Sequence, residues 1–197
     1  VAVRLVKGRQ KVKDERTDSE LMIALCKGDE AAFSEVIRRF QGPVYSLLIR
    51  MLGNEDDAEE LLQVTFCRVH QYRDHYDPER PLVTWIFTIA SNLAKKEWRR
   101  RSHWMQVPED SVNLTSPVNT TPHYESGRRE LRASLEEAIN RLPIHYREPF
   151  LLREDQQLTY EEIAEVLGIR IGTVKSRINR ARAQLRESLS EAWERWR

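Results

Sequence analysis

Between Arg170 and Arg186 the chain carries Arg170, Lys175, Arg177, Arg180, Arg182 and Arg186 and no Asp or Glu. Guanidinium forks bond guanine edges or phosphate oxygens two bonds at a time, and an ammonium holds phosphate as a point charge. Asn179 adds an amide that suits adenine, while Thr173, Ser176 and Ala183 are small enough to let a helix enter the major groove. At 3.6 residues per turn, Val174, Ile178, Ala181 and Leu185 form one apolar face. Thr173, Ser176, Asn179, Arg180 and Ala183 then fall opposite it, with Lys175 and Arg177 on the flanks. A basic run by itself is usually a solvated helix face. Here it follows Thr159 and Glu162, spaced as a capping box, and Gly168, placed for a left-handed turn. A short capped helix, a glycine turn and an outwardly basic second helix make a helix-turn-helix that reads duplex DNA.

A second group lies upstream in "RPLVTWIFTIASNLAKKEWRRR". Trp85, Phe87, Trp98 and Asn92 stand beside a cationic track of Lys95, Lys96, Arg99, Arg100 and Arg101. Aromatic and amide groups next to cations suit unstacked bases with their backbone held alongside. Trp85 also lies on the stripe Leu82, Trp85, Ile86, Ile89, Ala90 and Leu93, where a tryptophan is more often core than a base-stacking surface. A third group, Glu55, Asp56, Asp57, Glu59 and Glu60, crowds a helix start, where acids complement the helix dipole. Convergent metal ligands are absent from the pattern, and the five histidines show no ligand spacing. No metal, cofactor or catalytic residue is expected, and the chain does not read as an enzyme.

The elements that must position these groups are helices. In 197 residues, 32% are charged and 40% hydrophobic, which suits a soluble globular chain. The net charge is +1, so distribution rather than total points to nucleic acid. Glycine is scarce and strand alternation is missing, so the expected fold is all-α. Two small helical domains are expected, one over 17–104 and one over 128–197. Residues 105–127, with Pro108, Pro117 and Pro122 among polar residues, form an extended linker. Residues 1–16 form a basic extension. Gly42-Pro43 reads as a kink or break, Asp29 as an N-cap and residues 74–81 as a loop. Cys26 and Cys67 read as reduced core thiols. No membrane insertion is expected, because no apolar run is long enough to span, and the N-terminus lacks a signal-peptide core; a cytosolic location follows as the default.

At these residues the chain resembles a family. "DAEELLQVTFCRVHQY" with "RPLVTWIFTIASNLAKKEWRR" is similar to region 2 of the extracytoplasmic-function (group IV) sigma factors of bacterial RNA polymerase. "LPIHYREPFLLREDQQLTYEEIAEVLGIRIGTVKSRINRARAQLRESL" is similar to their region 4. The resemblance runs from about residue 17 to residue 189, in the family order. It implies a partner, core RNA polymerase, and two DNA contacts. Region 4 would read the −35 element as duplex, through Thr173, Lys175, Ser176, Asn179 and Arg180. Region 2 would hold the melted −10 strand, through the loop Tyr72 to Pro81 and Trp85, Asn92, Lys95, Lys96, Arg99 and Arg100. The segment Asp57 to Phe66 matches the helix that docks on the clamp of the largest polymerase subunit, with Asp57, Glu60 and Gln63 facing out. An anti-sigma factor is the implied regulator. Val64 departs from the acidic residue usual after the glutamine, and Asn179 stands where many members carry an aromatic.

Overall fold

The computed structural model describes residues 15–104 and 126–196. The helices there are α1 Asp18–Cys26, α2 Glu30–Leu52, α3 Glu55–Gln71, α4 Leu82–Trp104, α5 Ser126–Arg141, α6 Ile144–Glu154, α7 Tyr160–Leu167 and α8 Ile171–Trp196. A 3-10 turn, Arg73–His75, is the remaining helical piece among the described residues. The expected extension lies outside them except for Glu15 and Arg16, and so does most of the expected linker. Ser126 and Gly127, expected as its last residues, instead begin α5.

Short polar side chains cap the starts of α1, α2, α3 and α7. Thr17 with Glu20 and Thr159 with Glu162 form complete capping boxes. Asp29 accepts from the Ala31 and Ala32 amides, and Asn54 accepts from that of Asp57. Gly53 and Gly168 close α2 and α7 at φ 67° and 65°, a conformation that strains any residue with a Cβ. Gly42-Pro43 neither breaks nor ends its helix: α2 runs through both. An interior proline costs about 3 kcal/mol. Here Phe40, Val44, Leu47 and Leu48 are buried on either side of it, and their packing outweighs that cost.

Helix α2 is the centre of the first bundle, with α1, α3 and α4 around it; α8 is the backbone of the second, against α5, α6 and α7. The two bundles touch. α4 packs along α7 and α2 against α6, so their buried side chains join into one continuous core. Of the expected stripe, Leu82, Ile86, Ala90 and Leu93 are buried, and Trp85 and Ile89 are half-buried. Beside it a second arc, Phe87, Ala94 and Trp98, is also buried, since α4 has neighbours in both bundles. The sequence reading of two small helical domains joined by a linker holds no information on their contact, because a period reveals an apolar face but not what covers it.

Cys26 and Cys67 are free but exposed rather than in the core. Each follows a buried residue, Leu25 or Phe66, and one step along a helix turns a side chain by about 100°. The Cys26 thiol donates to the Arg73 carbonyl at 3.4 Å.

Candidate nucleic-acid and partner interfaces

The buried face of α8 is the one its spacing requires: Val174, Ile178, Ala181 and Leu185 are all covered. That orientation leaves Lys175, Ser176, Asn179, Arg180 and Ala183 exposed and Thr173 half-buried. Two tyrosines absent from the sequence-based site support this face. Arg180 Nη1 donates to the Tyr146 hydroxyl at 3.1 Å, and Lys175 Nζ lies 5.6 Å from the centre of the Tyr160 ring. Arg153 stacks on the same ring at 4.9 Å. A guanidinium held at one nitrogen keeps the rest of its fork for a base edge, with less rotamer entropy left to lose. Arg182 differs from its neighbours: it donates to Glu154 at 2.6 Å, a contact within the bundle. Arg177 is half-buried.

On α4 the expected aromatic platform is corrected. Phe87 and Trp98 are 1% and 3% exposed, so neither ring offers a face to a base. Trp85 is half-buried, its ring centre 5.4 Å from that of Tyr76. Tyr76 in turn donates to the Arg80 carbonyl at 2.8 Å and shapes the turn before α4. Asn92, Lys96, Arg99 and Arg100 are exposed, Arg100 forking onto Glu97 at 2.6 and 2.8 Å. Lys95 is only half-buried and points to the other bundle, where its Nζ lies 3.5 Å from Glu148 Oε1. Burial pushes the Glu148 carboxyl up; the Lys95 ammonium, the Ser91 hydroxyl and Arg177 act the other way.

The acidic start of α3 divides. Glu60 and Gln63 are exposed as expected, but Asp57 turns back onto Arg101 of α4 and is half-buried there. The pairing could not be read from α3 alone, because Arg101 is 44 positions away (101 − 57). Next to this face lies a groove of about 370 Å³ lined by Ile37, Tyr45, Leu62, Gln63 and Phe66. Leu62 is half-buried because it forms that wall. Among the described residues there is no group of side chains able to hold a metal ion, and no helix is long and apolar enough to cross a membrane.

Comparison with known proteins adds independent observations. Residues 36–103 match the model of sigma-70 region 2, and residues 132–185 that of sigma-70, region 4. The chain is 31% identical over 173 residues to the ECF RNA polymerase sigma factor SigW of Bacillus subtilis, covering 84% of this chain and 92% of that protein. It is 37% identical over 170 residues to the ECF RNA polymerase sigma factor SigE of Mycolicibacterium smegmatis; the match covers 83% of this chain but spans only 65% of that protein. Two solved structures align along most of both chains. CnrH, in complex with the cytosolic domain of CnrY, gives a TM-score of 0.67 at 25% identity, covering 88% of this chain and 97% of that one. The sigma factor RpoE of Bartonella quintana, in complex with the anti-sigma factor NepR, gives 0.66 at 28% identity, covering 80% and 96%.

Proposed function

Because the chain belongs to the extracytoplasmic-function sigma factors of the sigma-70 family, we propose that it directs core RNA polymerase to a particular set of promoters and starts transcription there. The family carries no enzymatic activity of its own; RNA synthesis is the polymerase's. The observation that carries the reading is the outward face of α8. Lys175, Ser176, Asn179 and Arg180 stand together on a helix whose opposite side is locked into a core. Inserted in the major groove at the −35 element, Arg180 bonds a base edge, Asn179 and Ser176 read neighbouring positions, and Lys175 and Thr173 hold the backbone.

Region 2 supplies the second contact. Asn92 receives an unstacked base of the −10 strand, and Lys95, Lys96, Arg99 and Arg100 neutralise its phosphates. Trp85 acts through Tyr76 as a wall of that site instead of a free stacking surface. Glu60 and Gln63, with the groove between α2 and α3, form the face for core polymerase. Asp57 contributes by holding α3 to α4 through Arg101. An anti-sigma factor controls access to these surfaces, a reading supported by the RpoE–NepR complex. The place of action is the cytoplasm, where polymerase and promoters are.

The test is transcription with purified core polymerase on a promoter library. Core enzyme plus this chain should initiate at a sequence-defined subset of sites, and the chain alone should bind those sites weakly. A chain that shifts duplex promoters tightly by itself, and leaves core polymerase unaltered, would be a conventional regulator instead.

A further inference from the structure

A cavity of about 230 Å³ lies where α4, α6 and α8 meet. Lys95 and Arg99 of α4 line it together with Glu148 and His145 of α6 and Arg177 of α8. Three of these side chains carry cationic groups and one a carboxyl. Positive charge alone does not make a site, since a basic face is usually solvated. The distinguishing feature here is unused hydrogen-bonding capacity. Arg177 is half-buried, and among the described residues neither its guanidinium nor that of Arg99 donates a hydrogen bond. Neighbours on the same helices differ: Arg100 forks onto Glu97, and Arg182 donates to Glu154. A guanidinium presents five donors in a fixed fork, which match the oxygens of a phosphate-like anion.

Glu148 adds the opposite requirement. It is 4% exposed, and its Oε1 is buried and accepts no hydrogen bond from a described residue, with Lys95 Nζ as an ion-pair partner at 3.5 Å. A buried carboxylate oxygen left without a donor is costly. Donors and an acceptor therefore face one cavity. A ligand that answers both must be anionic and must also offer a proton. Sulfate and the phosphodiesters of a DNA backbone have no such proton at neutral pH. Hydrogenphosphate has one, on its P–OH. It also balances the charge, because three cations then face one carboxylate and a dianion. Burial pushes the Glu148 carboxyl up, which eases the sharing of that proton. The volume is below the roughly 300 Å³ at which pockets for drug-sized ligands begin, so it suits a bare tetrahedral ion better than a nucleotide.

We propose that this cavity is a binding site for inorganic phosphate. Arg99, Arg177 and Lys95 hold the ion through its unprotonated oxygens, and Glu148 holds it through the P–OH. Lys95 and Arg99 belong to one bundle, Glu148 and Arg177 to the other, so a bound phosphate touches both. The carboxylate is the selecting group: it accepts from a protonated oxyanion and repels one that has no proton to give. The site stands independently of the promoter reading, because it requires neither polymerase nor DNA.

The test is calorimetric titration of the full chain with sodium phosphate, sodium sulfate and AMP at matched ionic strength and about pH 8. At that pH the ester has lost its last phosphate proton, whose pKa is about 6, whereas hydrogenphosphate keeps one. Phosphate should bind at least about tenfold more tightly than sulfate or AMP. Arg177→Gln should weaken phosphate by about tenfold or more. Glu148→Gln replaces an acceptor with a group that also donates, so sulfate should then bind about as well as phosphate. Thermal melting gives a second readout. Phosphate should raise the melting temperature more than sulfate does, a comparison that removes the general stabilising effect of both salts. If Glu148→Gln loses its helical circular dichroism, Arg177→Gln and the wild-type anion series decide the matter. Phosphate that binds wild type no better than sulfate or AMP overturns the proposal, and so does wild type that shows neither heat nor a melting shift specific to phosphate. Undiminished phosphate binding by folded Arg177→Gln overturns it as well.

Discussion

Replacing Arg147 by Met removes a side chain that caps two helices from different halves of the chain. Its guanidinium is 2% exposed and donates to the carbonyls of Met51 at 3.3 Å, Leu142 at 2.9 Å and Asn140. Met51 and Asn140 lie in the last turns of α2 and α5, whose final carbonyls have no partner within their own helices. Two effects oppose each other. Burial lowers the Arg147 pKa from the ordinary guanidinium value to about 10, which corresponds to a desolvation cost of about 3 kcal/mol. Three hydrogen bonds from a charged donor contribute about 1.5–3 kcal/mol each. The bonds win. Methionine recovers the desolvation cost and much of the volume but takes the donor from three carbonyls, two of them buried, so the net loss should be about 2–4 kcal/mol. Urea denaturation followed by circular dichroism measures it, and a lower midpoint with an unchanged slope is the expected result. A variant within 0.5 kcal/mol of wild type, an experimental threshold, would show that water or local repacking serves those carbonyls as well, and the capping argument would be wrong.

The remaining expectations concern each face in turn. Arg180→Ala should lose about 1–3 kcal/mol of −35 duplex affinity in the polymerase complex, and Tyr146→Phe less, by fluorescence anisotropy; equal binding by Arg180→Ala would remove the base contact. Glu60→Lys should weaken pull-down of core polymerase with the melting temperature unchanged, whereas Asp57→Lys should also lower that temperature, because it sets like charges together at Arg101. Identical behaviour of the two would contradict the division made here between an exposed acid and a structural one. For pH, hydrogen bonds from Arg38, aided by Arg39, hold Glu35 down from 4.5 to about 2. A depressed carboxylate contributes its stability fully above about pH 4.5 and loses it as the pH falls through 2. Arg38 is partly exposed, so the contribution is about 1–2 kcal/mol. Wild type should therefore lose more stability than Glu35→Gln between pH 5 and pH 2, and parallel acid curves for the two proteins would count against the assignment.

Much of the helical frame was legible because its causes are local. Thr159 and Glu162 are three positions apart, and that distance alone sets the capping box seen at the start of α7. Val174, Ile178, Ala181 and Leu185 share a face by helical geometry, so the exposed side of α8 follows whatever it packs on. The proline in α2 was less legible: its intrinsic cost is local, but the burial that outweighs it is contributed by other helices.

The sequence by itself determined an all-helical chain, the two blocks that resemble regions 2 and 4, and the outward basic face of α8. Each rests on periodicity, capping or motif within a short stretch of chain. Only the tertiary structure decided that Phe87 and Trp98 are core, that Asp57 belongs to Arg101, that Arg180 leans on Tyr146, and that Lys95 meets Glu148. The physical reason is common to all four. A helical period states which side of a helix avoids water, but burial of that side and the partner of each charge depend on helices brought together from distant parts of the sequence.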